Sequence, residues 1–309
     1  MTPPIDRDSI CFKKAQLVLK VLPFLDEEKD FALYGGTAIN FFVREMPRFS
    51  VDIDLTYLHI ADWDTVDNET TAMMLRLRKR LLNAGINATI MPSEDAARGI
   101  TAEKDGIGIK IETNFVLTGN LFPTDRRELC DTAQSVLEMY VEINVLALPE
   151  LYGGKICAAV VRQHPRDLFD TKLLLENEGI DDQTRKSFIV NVISQVRPMS
   201  NLLDPDFINI EVDYTSAFKG MALEYVTLDD LLTARKNLLR TLRKGMTAEE
   251  RSFLLSLQNR TPEWSLLGLS GAHDLPAVKV RLQRIEAMKE KGHREETEKL
   301  VDCLKLWGC

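Results

Sequence analysis

The chain has 309 residues, is 45% hydrophobic and 28% charged, and carries a formal net charge of −8. That is enough for two domains or one large one with a core that needs no staples. The acidic balance disfavours a protein that coats nucleic acid nonspecifically, while leaving room for a local basic patch. The five cysteines are scattered, odd in number and form no CxxC pair, which argues against a disulfide framework or zinc knuckle and predicts a cytoplasmic protein. The first residues lack a basic stretch followed by an apolar run, and no apolar run approaches membrane-spanning length, so neither a signal peptide nor a membrane span is expected. Residues 8–25 place Phe12, Ala15, Val18, Leu19 and Leu22 at helical spacing, with Asp8 as the expected N-cap. Residues 31–34 read as a short strand ended by Gly35-Gly36, and residues 37–44 as about two helical turns that Pro47 prevents from continuing. A strand over 51–58, a helix over 66–84 and a strand over 86–91 follow. Ile107, Ile109 and Ile111 alternate with Gly108, Lys110 and Glu112, as in a strand with one buried face, and residues 140–146 give another strand. Pro149 opens a helix where its missing N–H costs nothing. Helical patterns then dominate, over 150–163, 166–178, 182–196, 228–244, 248–257 and 276–306, with 197–218 as a connecting stretch. The change of texture predicts two domains, residues 1–148 and 149–309.

The densest chemistry lies in residues 33–55, L-Y-G-G-T-A-I-N-F-F-V-R-E-M-P-R-F-S-V-D-I-D-L. On a strand, side chains alternate, so Asp52 and Asp54 share one face and Val51, Ile53 and Leu55 the other. Two carboxylates so placed supply hard oxygen ligands, and Mg²⁺ in such sites bridges carboxylates and substrate phosphates. Gly35 and Gly36 let backbone approach a phosphate closely, Thr37 adds a hydroxyl, and the following helix offers N–H groups. Together these predict a triphosphate-plus-metal site suited to in-line displacement. Alone, a Gly-Gly pair is usually a turn and a D-x-D pair a solvated strand edge; their order on strand, turn, helix and strand is the signal. No G-K-[ST] follows the turn, so it is not a Walker A loop, and no GxGxxG supports a dinucleotide site.

G-G-T-A-I-N followed by R-F-S-V-D-I-D-L resembles the AbiEii/MenT-like nucleotidyltransferase toxins of the DNA polymerase β-like superfamily. L-P-E-L-Y-G-G-K-I-C-A-A-V-V-R-Q-H-P-R-D-L-F-D resembles the later blocks of the same family, so the motifs cover roughly residues 31–175. The resemblance implies an α/β (α+β) nucleotidyltransferase core with a mixed sheet, plus a mostly helical C-terminal domain, with the active site in the cleft between them. It implies that Asp52 and Asp54 hold Mg²⁺, that Gly36 and Thr37 contact phosphates, that Lys155 neutralises phosphate charge, and that Asp167 with Asp170 completes the site. Arg48 and Ser50 complete the R-x-S-x-D-x-D block, Arg48 as a phosphate-reaching cation or else a surface residue. A charge added at Ser50 would be expected to block the site. Superfamily members commonly use a third carboxylate as general base, for which Glu112 and Glu142 are both candidates by alternation.

The four histidines make no metal-ligand pair at helical spacing and no G-x-S-x-G occurs, which disfavours zinc and serine hydrolase chemistry. Residues 233–244 form the most basic helix, where Lys236, Arg240 and either Arg243 or Lys244 recur on one face that suits either an RNA backbone or plain solvation. The expected function is Mg²⁺-dependent transfer of an NMP from an NTP to an acceptor hydroxyl. The resemblance implies a toxin of a type IV toxin–antitoxin or phage-defence system, with the 3′ end of tRNA as acceptor, arrested translation as outcome, and a cognate antitoxin as partner. The alternatives are transfer to a protein or small molecule, and a non-catalytic nucleotide-binding module.

Overall fold

The computed structural model describes residues 5–91, 98–114 and 118–307. They separate into two compact units, Met1–Ala147 with Phe218–Val226, and Leu148–Ala217 with Thr227–Cys309.

The first unit runs α1 (Ile10–Leu25), β1 (Phe31–Tyr34), α2 (Gly35–Ala38), β2 (Ile53–Tyr57), α3 (Trp63–Asn83), β3 (Asn87–Ile90), β4 (Gly99–Lys104), β5 (Ile107–Thr113), β6 (Asp125–Glu128), α4 (Asp131–Leu137) and β7 (Glu142–Val145). The N-cap of α1 is Ser9 rather than Asp8, because the Ser9 hydroxyl accepts the Phe12 N–H at 3.2 Å. The strands form one mixed sheet in the order β3-β4-β5-β2-β1-β7-β6. At its centre β2 is antiparallel to β1 and parallel to β5, while β1 is parallel to β7. Leu33, Ile53, Leu55, Ile111 and Val145 are buried, at most 1% exposed. They occupy one face in register, with Leu33 opposite Leu55 and Val145, and Ile53 opposite Ile111. Helix α1 packs on β5 and β7 and α3 on β3 and β4, so the apolar stripe of each closes the core. The opposite face carries Tyr34, Asp54 and Glu112, and it is the face that matters chemically.

Helix α2 does not continue as an ordinary α-helix. Its four residues lead into a wider π turn over Ile39–Val43. Phe218–Val226 returns to this unit and braces the approach to β2: Phe49 N–H donates to Met221 O and Leu223 N–H to Pro47 O, both at 2.9 Å.

The second unit is helical: α5 (Leu148–Val161), α6 (Pro165–Asn177), α7 (Asp182–Ile193), α8 (Met199–Leu203), the single turn α9 (Glu211–Asp213), α10 (Leu228–Gly245), α11 (Ala248–Gln258), α12 (Trp264–Leu267), α13 (Pro276–Glu286) and α14 (Glu290–Lys305). Its tightest packing is α5 on α7. A Cβ at Gly153 would lie 2.5 Å from Ser187 Cβ and 2.8 Å from the Phe188 nitrogen, so glycine there is required by helix contact. The stretch expected to be a plain connection contains α8, and the run 276–306 is two helices, not one. Mixed sheet and helical second unit agree with the expected fold class. Among the described residues, no helix is long and apolar enough to cross a membrane. Cys309 lies outside the described residues; Cys11, Cys130, Cys157 and Cys303 form no disulfide among the described residues.

Candidate active site

The Gly-Gly turn is built to approach a carboxylate. Gly35 has φ +75°, and a Cβ there would sit 2.4 Å from Asp54 Oδ2. Both conformation and space therefore demand glycine. Gly36 is equally tight: its Cβ would meet Arg48 Nη2 at 2.8 Å and Ser50 Oγ at 3.3 Å. Arg48 is not a surface residue. It is 2% exposed, lies against the turn, and donates from Nη1 to the Phe49 carbonyl at 2.9 Å.

Thr37 and Ser50 are buried, 1% and 6% exposed. Thr37 Oγ1 lies 2.6 Å from the Asp52 carbonyl and 2.9 Å from Ser50 Oγ. A hydroxyl has one proton, and only it can serve the carbonyl, so Thr37 donates to Asp52 and accepts from Ser50. The hydroxyl expected on a phosphate is here bonded to the segment that presents the carboxylates. This contact also explains why β2 begins at Ile53, one residue after Asp52: the Asp52 carbonyl is taken by Thr37 rather than by a neighbouring strand. Asn40 reaches back, its Nδ2 donating to Gly36 O at 2.9 Å, and holds the turn from below. With only four residues, α2 adds little dipole, so any anion here is met by local N–H groups rather than by a macrodipole.

The register distinguishes the two third-carboxylate candidates by position. Asp54 pairs with Glu112 across the parallel β2–β5 contact, which puts both side chains on one face of neighbouring strands. Glu142 lies three residues before Val145, the partner of Leu33, whereas Asp54 pairs with Tyr34. That offset is roughly 13 Å along the strands. Glu142 is also engaged by Arg126 Nε at 3.0 Å. Asp52, Asp54 and Glu112 are all half-buried, open enough to meet a ligand.

The second unit holds the other expected residues in one cluster. Lys155, expected to neutralise phosphate charge, is 6% exposed. Its Nζ lies 3.0 Å from both Asp167 Oδ1 and Asp170 Oδ2. Arg162 binds the same Asp167 carboxylate, with Nη2 at 2.8 Å from Oδ2, while its own side chain remains 63% exposed. Burial pushes the Asp167 carboxyl up, but the Lys155 and Arg162 charges and the Lys155 hydrogen bond outweigh it and hold the group below the usual carboxylate range. Arg162 was not among the expected site residues, although its charge five positions before Asp167 was a usable signal. His164 caps α6, its Nδ1 accepting the Arg166 N–H at 3.1 Å. Burial and the nearby Arg166 charge lower its pKa, which keeps Nδ1 a lone-pair acceptor.

The donor set fits a hard divalent cation. Asp52 and Asp54 offer carboxylate oxygens beside a backbone turn that a Cβ would fill. Among the described residues, no three acidic, histidine or cysteine side chains already converge as a ligand cluster. A Mg²⁺-type ion takes its remaining ligands from substrate phosphates and water, so two carboxylates suffice.

A mixed sheet with this central register and a helical second unit fits the fold of a nucleotidyltransferase. The family model described as "Nucleotidyl transferase AbiEii toxin, Type IV TA system" matches residues 17–264, and the chain belongs to that family. Among solved structures it is similar to MenT4, a nucleotidyltransferase toxin from Mycobacterium tuberculosis H37Rv, at 13% sequence identity and a TM-score of 0.59, over 96% of this chain and 94% of that one. At that identity the likeness is one of fold. A comparison with curated proteins gives no match. Membership makes the protein a nucleotidyltransferase and implies an NTP substrate and an antitoxin partner.

Proposed function

We propose that the protein transfers a nucleoside monophosphate from an NTP to the 3′ hydroxyl of tRNA, and thereby stops translation until a cognate antitoxin intervenes. The observation that carries the transfer chemistry is the register that sets Glu112 beside Asp54, with Asp52 two residues upstream and Gly35 against the Asp54 carboxylate. The acceptor oxygen attacks the α-phosphorus, the bond from that phosphorus to the bridging oxygen breaks, and pyrophosphate leaves. Glu112 accepts the hydroxyl proton. A bound Mg²⁺ supplies the charge that steadies the phosphates and the leaving pyrophosphate. Asp52 and Asp54 hold that ion, and the N–H groups of Gly35 and Gly36 meet the phosphates. Thr37, Ser50 and Arg48 keep the turn and carboxylates in position.

In the second unit, we assign Lys155 and Asp170 a positioning role. Both are buried, and Lys155 also binds Asp167, which in turn holds Arg162 with its cation exposed at the surface of that unit and open to an anion. The acceptor assignment follows the family. It is tested by incubating the protein with each α-³²P-labelled NTP and Mg²⁺, with total RNA or total protein as acceptor. Label at the 3′ end of tRNA, absent with Asp52→Asn or Asp54→Asn, is the expected result. Label confined to protein overturns the tRNA acceptor, and unchanged labelling by either variant overturns the site.

A further inference from the structure

The basic helix α10 builds a groove that the transfer chemistry does not use. Lys236, Arg240 and Lys244 are exposed and lie at four-residue steps, so their charges run in a line spanning about 12 Å of helix. Together with Arg243 they border a groove of about 510 Å³ whose other side is residues 204–207 and Leu306. In a chain with a net charge of −8, this is a local reversal of sign. Among the described residues, Asp204 and Asp206 are the acids on its border. Asp204 is paired with Arg243.

Asp206, on the same border, is paired with none of the other three cations among the described residues. Lys236 and Lys244 make no ion pair among the described residues, and Arg240 donates only to the neutral Asn237 at 2.9 Å. The helix C-terminus accounts for Arg243 and Lys244, which sit in the last turn. It does not account for Lys236 and Arg240 further back, and like charges four residues apart on a helix repel.

The groove also has an aromatic wall. Phe207 is 46% exposed and its ring is held from behind by the buried Arg235, whose guanidinium carbon stacks 4.2 Å from the ring centroid. Arg235 is in turn fixed by hydrogen bonds to Gln163 Oε1 and Ile208 O, both 2.8 Å. It therefore belongs to the support and not to the charged line. A rigid aromatic face beside a regular row of cations is how single strands are held, with phosphates on the charges and a base on the ring.

We propose that this groove binds a single strand of nucleic acid, its phosphates along Lys236, Arg240 and Lys244 and a base against Phe207. The RNA-acceptor reading supplies only the identity of the strand. The test is fluorescence anisotropy of the full chain with a labelled 12-nucleotide single-stranded RNA, without NTP or metal, across a salt series. Wild-type affinity should fall with salt, and Lys236→Gln/Arg240→Gln/Lys244→Gln should flatten the log–log salt slope by about 2, at roughly 0.7 per phosphate contact. Phe207→Leu, which keeps an apolar cover over Arg235, should weaken binding roughly fivefold or more. Asp52→Asn should bind like wild type, so a transfer failure is read separately from a groove failure. The proposal is overturned if the triple Gln variant keeps wild-type affinity and slope at an unchanged melting temperature. It is also overturned if a poly-glutamate peptide of equal charge binds as tightly as the RNA, since that would make the groove a site for an acidic protein.

Discussion

Lys155→Met tests whether the second-unit cluster is a buried electrostatic support. Lys155 is the shared counterion of Asp167 and Asp170, at 3.0 Å from each, and both carboxylates are at most 4% exposed. Removing one partner of a buried ion pair costs about 3–5 kcal/mol, because the other charge stays desolvated. Arg162 still binds Asp167, so the lower figure, about 3 kcal/mol, applies. In a unit of roughly 150 residues that is a fall of about 6–12 °C in melting temperature. The sign of the pH dependence is a second readout. The Asp167 pKa is depressed in the fold, so the stability it adds is present above its ordinary value of 3.8 and is lost as pH falls through the folded pKa. In Lys155→Met, burial acts on Asp170 without the lysine charge and favours its neutral form, which acid supplies. The gap between wild type and variant should therefore narrow from pH 7 to pH 5, and Lys155→Met/Asp170→Asn should recover part of the loss. A melting temperature within about 2 °C of wild type at pH 7, or a gap that widens in acid, would refute a buried, charge-compensated Lys155.

Gly35→Ala places a methyl 2.4 Å from Asp54 Oδ2 at φ +75°, so a backbone cost of about 1–2 kcal/mol should accompany a transfer loss of about a hundredfold as the carboxylate is pushed aside. Labelled transfer set beside a thermal melt reads both effects. Glu112→Gln should cut transfer by about 10²–10⁴ with little change in nucleotide affinity, measured by steady-state kinetics and equilibrium binding. Glu142→Gln, which loses only a part-exposed contact with Arg126, should leave transfer unchanged and stability within about 1 kcal/mol. Gly153→Ala brings a Cβ within 2.5 Å of Ser187 Cβ and should cost about 1–3 kcal/mol by forcing α5 off α7, seen as a lowered urea midpoint.

How much of this was legible in the sequence depended on whether a residue's setting is local. The apolar alternation of β5 and the Gly-Gly turn are local, and they read directly. Asp105-Gly106, with φ values of +53° and +74°, forms the tight turn of the β4–β5 hairpin and went unread, because β4, G-I-T-A-E-K, alternates too weakly to be noticed. Strand β6 is D-R-R-E and has no apolar face at all. It sits at the sheet edge, where backbone pairing with β7 is enough to hold it. The division of 276–306 into α13 and α14 carries no proline or glycine at the break, and Phe218–Val226 has no periodicity that announces a return to the first unit.

The site motifs show the same limit in a more instructive form. A motif names residue types, and Arg48, Ser50, Thr37 and Lys155 could each be read as a ligand contact because their chemistry suits one. What decides their role is burial, and burial of a polar group depends on a partner that spacing alone does not reveal. Thr37 finds its partner fifteen residues on, at the Asp52 carbonyl, and Lys155 finds Asp167 twelve residues on. Once those partners are known, the motif divides in two. On the proposed reading, the half-buried Asp52, Asp54, Glu112 and Gly36 touch the nucleotide, while the buried Thr37, Ser50, Arg48, Lys155 and Asp170 hold other groups in place. A positioning group that is removed should move structure and stability together, whereas a contacting group should move transfer alone. Lys155→Met and Glu112→Gln stand on opposite sides of that division, and measuring both for stability and transfer asks whether burial is the right criterion for sorting the motif.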